Sequence, residues 1–510
     1  MTGKRLIKLI IAAVIGAVLL SACTQETGQI ESLSQLKEKG TVIAIATNTP
    51  EAEKVLKDFP DAKVESYTDI FPAYQEVASG KIAAVIYQRT QMEKAIENGV
   101  NGVRLLEETY SINKVAIALS RKSGIPDLKG KINRFLQEIR NDGTFDDMYD
   151  RWVVRKDYTM PDIPEAENPE RTITVATTGM TEPFTFYAGN ELVGFDIELA
   201  KRFAAWLGAD LQFKVYDWGG LLAAAQAGDA DCIMSNLYYR PKYEETTDFS
   251  DPLFTAEITA MVRDRGASAK GESFWPSIKS SFRRTFLEEK RWKLFVSGIE
   301  TTLVITIMAI LLGTMLGYAL FVACRGGNRI ATSVTRFSVW LVQGMPMVVL
   351  LMLLYYVVFG SLKISGVIVS IIGFALIFGA SVYERMKAGV AAVDIGQTEA
   401  AYSLGYTERQ AFYKVVLPQA MPYIFPPFKG DITTLLKGTS VVGFIAVQDL
   451  TKMADIVRSR TYEAFFPLIA VAIIYFILEI LLNFIVDRIE PVFYPKRREP
   501  DDILKGVQQK

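Results

Sequence analysis

The side chains that most often carry out chemistry are scarce in this sequence. There is no histidine among its 510 residues, which excludes Ser-His-Asp triads, Cys-His pairs and histidine-ligated metals. The three cysteines, Cys23, Cys232 and Cys324, have neither the spacing of a metal site nor that of a redox pair. The sequence also has no G-x-x-x-x-G-K-[ST] loop for nucleotide phosphates. The side chains of the common catalytic and metal sites are therefore missing from the sequence.

One polar segment between long apolar runs carries clear turn signals. In EAAYSLGYTERQAFYKVVLP, residues 399–418, Gly405 predicts the end of a short helix. Thr407 followed by Gln410 is a capping-box pattern that begins a second helix, and we expect Pro418 to stop it. The segment predicts two short helices joined by a turn that project from a membrane, with a well-ordered loop as the alternative.

Composition and the N-terminus indicate an envelope protein. The formal net charge is −1, so no basic excess points to nucleic acid. Basic residues precede an apolar run, 9–20, that ends in Leu-Ser-Ala-Cys at Cys23, which is typical of a secretory signal. This ending resembles the lipobox of bacterial lipoproteins, so we expect Cys23 to be lipidated, with an ordinary or uncleaved signal as the alternative. Either way, the residues that follow lie outside the cytoplasm.

Residues 31–268 read as a soluble α/β region. Alternation of strands with helices predicts a mainly parallel sheet covered by helices. A breaker-rich linker, 155–171, divides the region in two. The expected strands are 41–47, 82–87, 114–119 and 172–177, and the expected helices are 51–59, 127–142 and 195–208.

The remainder reads as a membrane domain. Residues 272–293 mix aromatic and basic side chains, as an interfacial helix does. Of five apolar segments, the first, second and fifth are long enough to span a bilayer unaided, and the third is short. Lys429, Asp431 and Lys437 interrupt the fourth, for which a re-entrant or cytoplasmic helix is the alternative. The segments are 302–324, 338–359, 364–381, 424–447 and 465–486.

Charge asymmetry orients these spans. Five spans that start outside leave the C-terminus and the loop at 399–418 in the cytoplasm, and most loop Arg and Lys residues then lie inside. Lys452, Arg458 and Arg460 are exceptions, because they fall in the last external loop.

The segment around Gly405 carries a family resemblance. GQTEAAYSLGYTERQAFYKVVLPQAMP resembles the EAA loop of bacterial ABC-importer permeases. GIETTLVIT (298–306) and QGMPMVVLL (343–351) resemble the polar amino-acid group of that family, although Gln343 replaces an arginine. The resemblance covers roughly 270–492. The residues that match the loop are Glu399, Ala400, Ala401, Gly405, Leu417 and Pro418.

The resemblance implies a transport subunit. Its loop would be a coupling helix that seats in a separate ABC ATPase subunit, present in two copies, which would bind ATP and magnesium. The chain itself would have no cofactor and no enzymatic activity. A second permease subunit, expected to be the same chain, would complete a pathway for a small polar solute, expected to be an amino acid. A membrane-anchored sensor and an envelope enzyme are the alternatives.

The external half resembles the family-3 type solute-binding proteins for polar amino acids, with its order changed. Residues 172–263 resemble that family's first lobe and 32–153 what normally follows, which implies a circularly permuted type II two-lobed domain. Two incomplete halves that pair with another copy are the alternative. The expected boundaries are a signal segment 1–23, a second-lobe-like half 31–154, a linker 155–171, a first-lobe-like half 172–268, an interfacial helix 272–293, an all-α permease domain of about five transmembrane helices 294–490 and a cytoplasmic tail 491–510.

The binding residues that the resemblance implies are altered here. The arginine for a ligand carboxylate is replaced by Tyr243, and the acidic partner of a ligand ammonium by Gln88. Arg240 or Arg89 could substitute, the ligand could lack one charge, or the domain could have lost binding. Thr181 stands where the family has an aromatic residue, and Tyr238 stands where it has a small hydroxyl residue. Thr49 and Trp218 remain suited to contact a ligand. The expected pocket is flanked by Phe184, Ser235 and Asn236.

Overall fold

A computed structural model describes residues 29–47, 49–264, 266, 274–360, 362, 364–463 and 466–493. The expected signal segment with Cys23, and nearly all of the expected tail, lie outside the described residues. An α/β region extends to Arg263, and the described residues from Phe274 onward are helical. This division agrees with the change of hydropathy along the sequence.

Strands and helices alternate in the α/β region, as the sequence pattern predicts. The strands are β1 Val42–Ala46, β2 Lys63–Tyr67, β3 Ala84–Gln88, β4 Val103–Leu105, β5 Ser111–Val115, β6 Ala118–Ser120, β7 Thr172–Thr177, β8 Met180–Thr181, β9 Thr185–Ala188, β10 Glu191–Val193, β11 Asp210–Val215, β12 Cys232–Ile233, β13 Thr247–Phe249 and β14 Phe254–Arg263. The helices are α1 Pro50–Asp58, α2 Phe71–Ser79, α3 Arg89–Glu97, α4 Leu128–Asn141, α5 Thr144–Tyr149, α6 Phe195–Leu207 and α7 Trp218–Ala227.

Two larger sheets form beside a short antiparallel sheet of β8, β9 and β10, and each of the two contains one strand from the other half of the region. The first sheet has the order β2-β1-β3-β14-β4, in which β14 is antiparallel to its neighbours. The second has the order β11-β7-β12-β6-β13, in which β6 is antiparallel to its neighbours. Neither half of the sequence completes either of these two sheets by itself, so the two halves pair within this chain.

We call the two resulting units lobe A and lobe B. Lobe A comprises residues 42–105 and 254–263, and lobe B comprises 118–149 and 172–249. Helix α4 belongs to lobe B because Phe135 packs on Phe203 of α6, with 5.3 Å between ring centroids. The chain enters and leaves the domain through lobe A, since β1 and β14 both lie in the first sheet.

The helical part contains long apolar helices. Its elements are α8 Phe274–Phe282, α9 Trp292–Arg325, α10 Arg329–Gln343, α11 Met347–Met352, α12 Gly366–Ala391, α13 Ile395–Ser403, α14 Glu408–Ala411, α15 Leu417–Gly438, α16 Leu450–Thr461 and α17 Phe466–Phe493. Among the described residues, α9, α12 and α17 are long and apolar enough to cross a membrane, and two bent helix pairs raise the number to as many as five.

Two expectations about the spans are wrong. The second segment is not one continuous span, because the chain bends by 110° between α10 and the helix over Met347–Val358. Pro346 lies at that break, where its ring cannot continue the preceding helix. The third span is not short: α12 continues through a polar turn to Ala391 and has 26 residues.

The charges in the fourth apolar segment have partners on neighbouring helices. Asp431 of α15 accepts from Arg385 Nε at 3.0 Å, and Lys429 donates to Asp487 at 2.6 Å. Lys437 lies 2.9 Å from Glu479, which is also in α17. Pairing removes much of the cost of placing these charges in a helical membrane domain.

Candidate functional site

The loop after α12 forms the two-helix unit that the sequence predicts. Helix α13 ends just before Gly405, whose φ of 82° lies in the left-handed region that favours glycine. The capping box is confirmed, since Thr407 N donates to Gln410 Oε1 at 2.9 Å and Gln410 N donates to Thr407 Oγ1 at 3.4 Å. We call residues 395–416 the coupling loop.

The expected stop at Pro418 is wrong. Helix α14 continues through a π-type turn, Phe412–Val416, directly into α15, and Pro418 lies in the first turn of α15. The wider π-type turn changes the hydrogen-bond register ahead of the proline, so its missing N–H does not end the helix. As a result the coupling loop is rigidly joined to a helix of the membrane domain.

The coupling loop exposes both charged and apolar side chains. Glu399 and Ala400 are exposed, whereas Ala401 is buried and Leu417 is partly buried. Several large apolar side chains on the loop are also exposed: Ile395, Tyr402, Leu404 and Tyr413. A contact from α9 anchors the loop, since the Arg325 guanidinium lies 3.7 Å from the centroid of the Phe412 ring.

The cleft between the lobes is bridged by three of the expected binding residues. Gln88 of lobe A is buried, and its Oε1 accepts from Asn236 Nδ2 at 2.7 Å and from the Tyr238 hydroxyl at 3.2 Å. Gln91, one turn further along α3, donates to the backbone oxygen of Glu182 at 2.8 Å. The lobes therefore meet through neutral polar groups where the resemblance places ligand charges.

The remaining expected residues are dispersed. The Thr49 hydroxyl donates to Ala46 O at 2.9 Å, and Ser235 Oγ lies 3.0 Å from Thr178 Oγ1 inside lobe B. Phe184 lies in the core, stacked on Phe254, while Thr181 is buried beside the cleft. Trp218 is partly buried at the junction with the helical part, in the cluster that Tyr356 and Ala446 also contact.

Neither arginine proposed as a substitute is free in the cleft. Arg240 Nη2 lies 2.8 Å from Glu53 Oε1, and Arg240 Nη1 donates to the Tyr243 hydroxyl at 3.2 Å. Arg89 pairs with Glu257 at 3.0 Å and donates to two backbone oxygens. The structure therefore does not support replacement of the missing arginine by a local shift.

Two buried carboxyl groups near the cleft were not expected from the sequence. Burial raises the pKa of Glu51 to about 7, although Asn113 Nδ2 donates to one of its oxygens at 2.8 Å. Burial also raises the pKa of Asp196 to about 7, and this carboxyl group accepts from Asn236 N at 2.6 Å. Both lie on helices that begin at the cleft, α1 and α6.

Helix α16 connects the permease part to both lobes. Buried Lys452 donates to Asp217 Oδ1 at 2.8 Å and to Tyr216 O at 2.9 Å in lobe B. Arg460 pairs with Glu182, also in lobe B, whereas Arg458 pairs with Asp69 in lobe A. These three cations are the exceptions to the charge asymmetry, and each has a carboxylate partner in the α/β region.

The residue after α16 inserts between aromatic rings of lobe A. Tyr462 is buried, with its ring centroid 5.4 Å from that of Phe71 and 6.3 Å from that of Tyr74. Its backbone oxygen accepts from Gln75 Nε2 at 3.2 Å, and its φ is 52°. A tyrosine in the left-handed region is uncommon, and the surrounding contacts hold it there.

Glycines permit a second close approach between the α/β region and the helical part. Asp217 N donates to Gly443 O at 3.1 Å, and a side chain at Gly443 would collide with the Asp217 carboxylate. Phe444 lies directly against Gly219 and Gly220 at the start of α7. The α/β region and the helical part are therefore packed together at several independent points.

Comparisons with known proteins agree with this arrangement. Residues 309–493 match the family model described as binding-protein-dependent transport system inner membrane component. The putative glutamine transport system permease protein GlnP of Rickettsia typhi is 33% identical over 199 residues, 38% of this chain and 90% of the relative. The probable glutamine ABC transporter permease protein GlnM of Bacillus subtilis is 30% identical over 204 residues, 39% of this chain and 93% of the relative.

Two solved structures are similar to portions of this chain at low TM-scores. A crystal structure of an amino acid ABC transporter with histidines is 30% identical, has a TM-score of 0.37 and covers 43% of this chain and 98% of that chain. The arginine-bound form of truncated ArgBP from T. maritima is 11% identical, has a TM-score of 0.26 and covers 46% of this chain and 93% of that chain. Because a relative that is 33% identical is matched over 90% of its length, the chain belongs to the inner-membrane component family of binding-protein-dependent transport systems.

Proposed function

We propose that this chain is the permease and receptor of an ABC importer and depends on a separate ATPase subunit. The coupling loop carries this proposal, because an exposed, rigid two-helix unit lies within the matched permease region. The sequence has no phosphate-binding loop of its own, so ATP and magnesium would bind to the partner. The chain would transmit force rather than catalyse hydrolysis.

We also propose an orientation and a stoichiometry. The coupling loop and the C-terminus would face the cytoplasm, and both lobes would lie outside, where α16 meets them. Two ATPase copies would act on two permease copies, the second being the same chain. When the lobes close on a solute, α16 would remain seated on both of them, and the ATPases would drive alternating access through the coupling loops.

We propose that the solute is small, polar and similar to an amino acid. The support is that the related permeases are named for glutamine, cystine and arginine transport. A second possibility is an importer for a solute that is not an amino acid. This possibility is favoured by Tyr243, which stands where the resemblance implies an arginine, and by the engagement of Arg240 with Glu53.

Co-purification tests the coupling role. We expect the chain to retain a co-expressed ABC ATPase subunit from its own organism, and Glu399→Lys to weaken that retention at least tenfold, since the side chain is exposed on the loop. The matched control is Glu38→Lys, which places the same charge change on an exposed site of the α/β region. Equal retention by wild type and both variants would contradict the proposal.

A further inference from the structure

The cleft contains buried hydrogen-bonding atoms that have no partner. Among the described residues, Gln91 Oε1, Asn236 Oδ1 and Thr181 Oγ1 are buried and unpaired. Gln91 is completely buried, and the exposures of Thr181 and Asn236 are 2% and 6%. Buried polar atoms normally have hydrogen-bond partners in a folded protein. These three unpaired atoms therefore indicate that a ligand group binds to them when the lobes close.

The unpaired atoms lie along one line of contacts between the lobes. Gln91 of lobe A bonds to the backbone of Glu182, the residue after Thr181 in lobe B. One turn earlier, Gln88 bonds to Asn236 and Tyr238 of lobe B. The unpaired oxygens are therefore held at the interface between the lobes rather than in separate cores.

A buried carboxyl group adds further acceptor oxygens to this interface. Glu51 is 1% exposed at the start of α1, and its Oε2 accepts from Asn113. Its other oxygen, Oε1, is buried without a partner, and the group lies near Tyr238, because Asn113 is on β5 and Val115 of the same strand forms a bridge with Tyr238. Two amide oxygens and a carboxylate attract a ligand that donates N–H groups.

The same interface has no available partner for a ligand carboxylate. Arg240 is paired with Glu53 and Arg89 with Glu257. Lys94, the remaining described cation that crosses between the lobes, is paired with Glu182 at 3.3 Å. A buried carboxylate without a cation or donors would be strongly disfavoured.

We propose that the cleft of the fused domain binds a small amine or amide without a free carboxylate, such as the decarboxylated counterpart of an amino acid. This assignment rests on the proposed function, in which the lobes supply the permease with solute. It names the class of that solute. The ammonium or amide group of the solute donates to Glu51, Gln91 and Asn236, and the solute lacks the carboxylate that an arginine would bind.

Matched ligand pairs test the proposal on the full chain in lipid nanodiscs. The pairs are glutamine with 4-aminobutanamide, arginine with agmatine, and cystine with cystamine; each second member is the first without its carboxylates. We expect at least one amine to raise the unfolding temperature and to bind at least tenfold more tightly than its amino acid. Equal or tighter binding of the amino acid, or no binding by any of the six compounds, would overturn the proposal.

Variants locate the binding. Glu51→Gln is isosteric and should weaken the bound amine at least tenfold, whereas the exposed control Glu38→Gln should leave its affinity unchanged. An unchanged affinity in a folded Glu51→Gln variant would also count against the assignment. If that variant does not fold, the wild-type ligand pairs still decide. Failure of the ATPase subunit to co-purify with the chain would refute the importer role but would not change these binding results. Failure of the importer role and failure of the ligand assignment are therefore distinguishable.

Discussion

At the scale of single residues, the cleft depends on a few polar atoms. Gln88 Oε1 alone accepts from two residues of the opposite lobe. Because all of these groups are buried, removal of one partner leaves the other without a hydrogen bond, which costs roughly 1–3 kcal/mol. The arrangement favours one closed geometry of the lobes over others that pair the same groups less well.

Glu51 predicts a specific dependence of stability on pH. Its pKa in the folded chain, about 7, is above the ordinary value of 4.5, so the folded state keeps a proton that the unfolded state has lost. Stability contributed by this group is therefore present below pH 4.5 and is lost as the pH rises towards 7. Glu51→Gln should remove this loss, worth about 3 kcal/mol at most.

Unfolding of the full chain between pH 4.5 and 7.5 measures the effect. The variant should gain stability relative to wild type as the pH rises, while Glu38→Gln, an exposed control, should follow wild type throughout. A constant difference between Glu51→Gln and wild type over this range would contradict the predicted shift in pKa.

Gly405 predicts a local effect on the coupling loop. Alanine at a φ of 82° is strained, and we expect Gly405→Ala to destabilise the loop by about 1 kcal/mol. Faster amide hydrogen exchange in residues 395–411 would report it. Gly430→Ala, in the interior of α15 where a methyl group meets no atom within 4 Å, is the control and should leave exchange unchanged or slower. Equal exchange in both variants would be inconsistent with a strained turn.

At the scale of elements, α16 is the part of the permease that joins the two lobes. Arg458 contacts lobe A, and Lys452 and Arg460 contact lobe B, so separation of the lobes must break pairs on one side of the helix. This placement gives a physical reason for three cations in a loop expected to be external. Their charges are neutralised by the fused domain rather than left facing solvent or lipid headgroups.

A charge swap tests this contact. Arg458→Asp and Asp69→Arg should each lower the unfolding temperature, and the double variant should recover part of the loss, since both side chains are only 19% exposed. We expect a coupling of roughly 1–3 kcal/mol from the double-mutant cycle. The exposed pair Arg121 and Asp248, swapped in the same way, should couple by less than about 1 kcal/mol. No recovery in the first swap would mean that the pair does not hold α16 in place.

At the scale of the whole molecule, the α/β region is one unit built from two incomplete halves. Strand β14 completes the sheet of lobe A and β6 that of lobe B, although each comes from the opposite half of the sequence. The chain also enters and leaves the domain through lobe A. The domain can therefore precede the permease part without a long segment that returns from lobe B. These features support the proposal that the domain is circularly permuted.

Fragments test this organisation. We expect residues 29–264 to be monomeric and to unfold cooperatively, because both exchanged strands are present. Residues 29–154 alone should lack cooperative unfolding, and co-expression with 155–264 should restore it. Circular dichroism and size-exclusion chromatography measure both properties. A folded 29–154 fragment, or an obligate exchanged dimer of 29–264, would contradict the expectation.

The sequence alone determined the features that depend on neighbouring residues. The left-handed position at Gly405 and the capping box at Thr407 follow from local backbone preferences, and the long apolar helices follow from hydropathy. The rule that proline ends a helix failed at Pro418, which lies within a continuous helix because a π-type turn precedes it. A proline signal is informative only when the hydrogen-bond register before it is known.

Only the tertiary structure decided which distant groups meet. Asn236 and Gln88 are 148 residues apart, and Arg458 and Asp69 are 389 apart, so no local pattern connects them. The family resemblance implies that an arginine is missing from the cleft, and the charge pattern of the sequence places three cations in a loop expected to be external. The fold places unpaired acceptor oxygens at the interface of the lobes and pairs the cations with carboxylates, because long-range pairing depends on how the two lobes and α16 pack together.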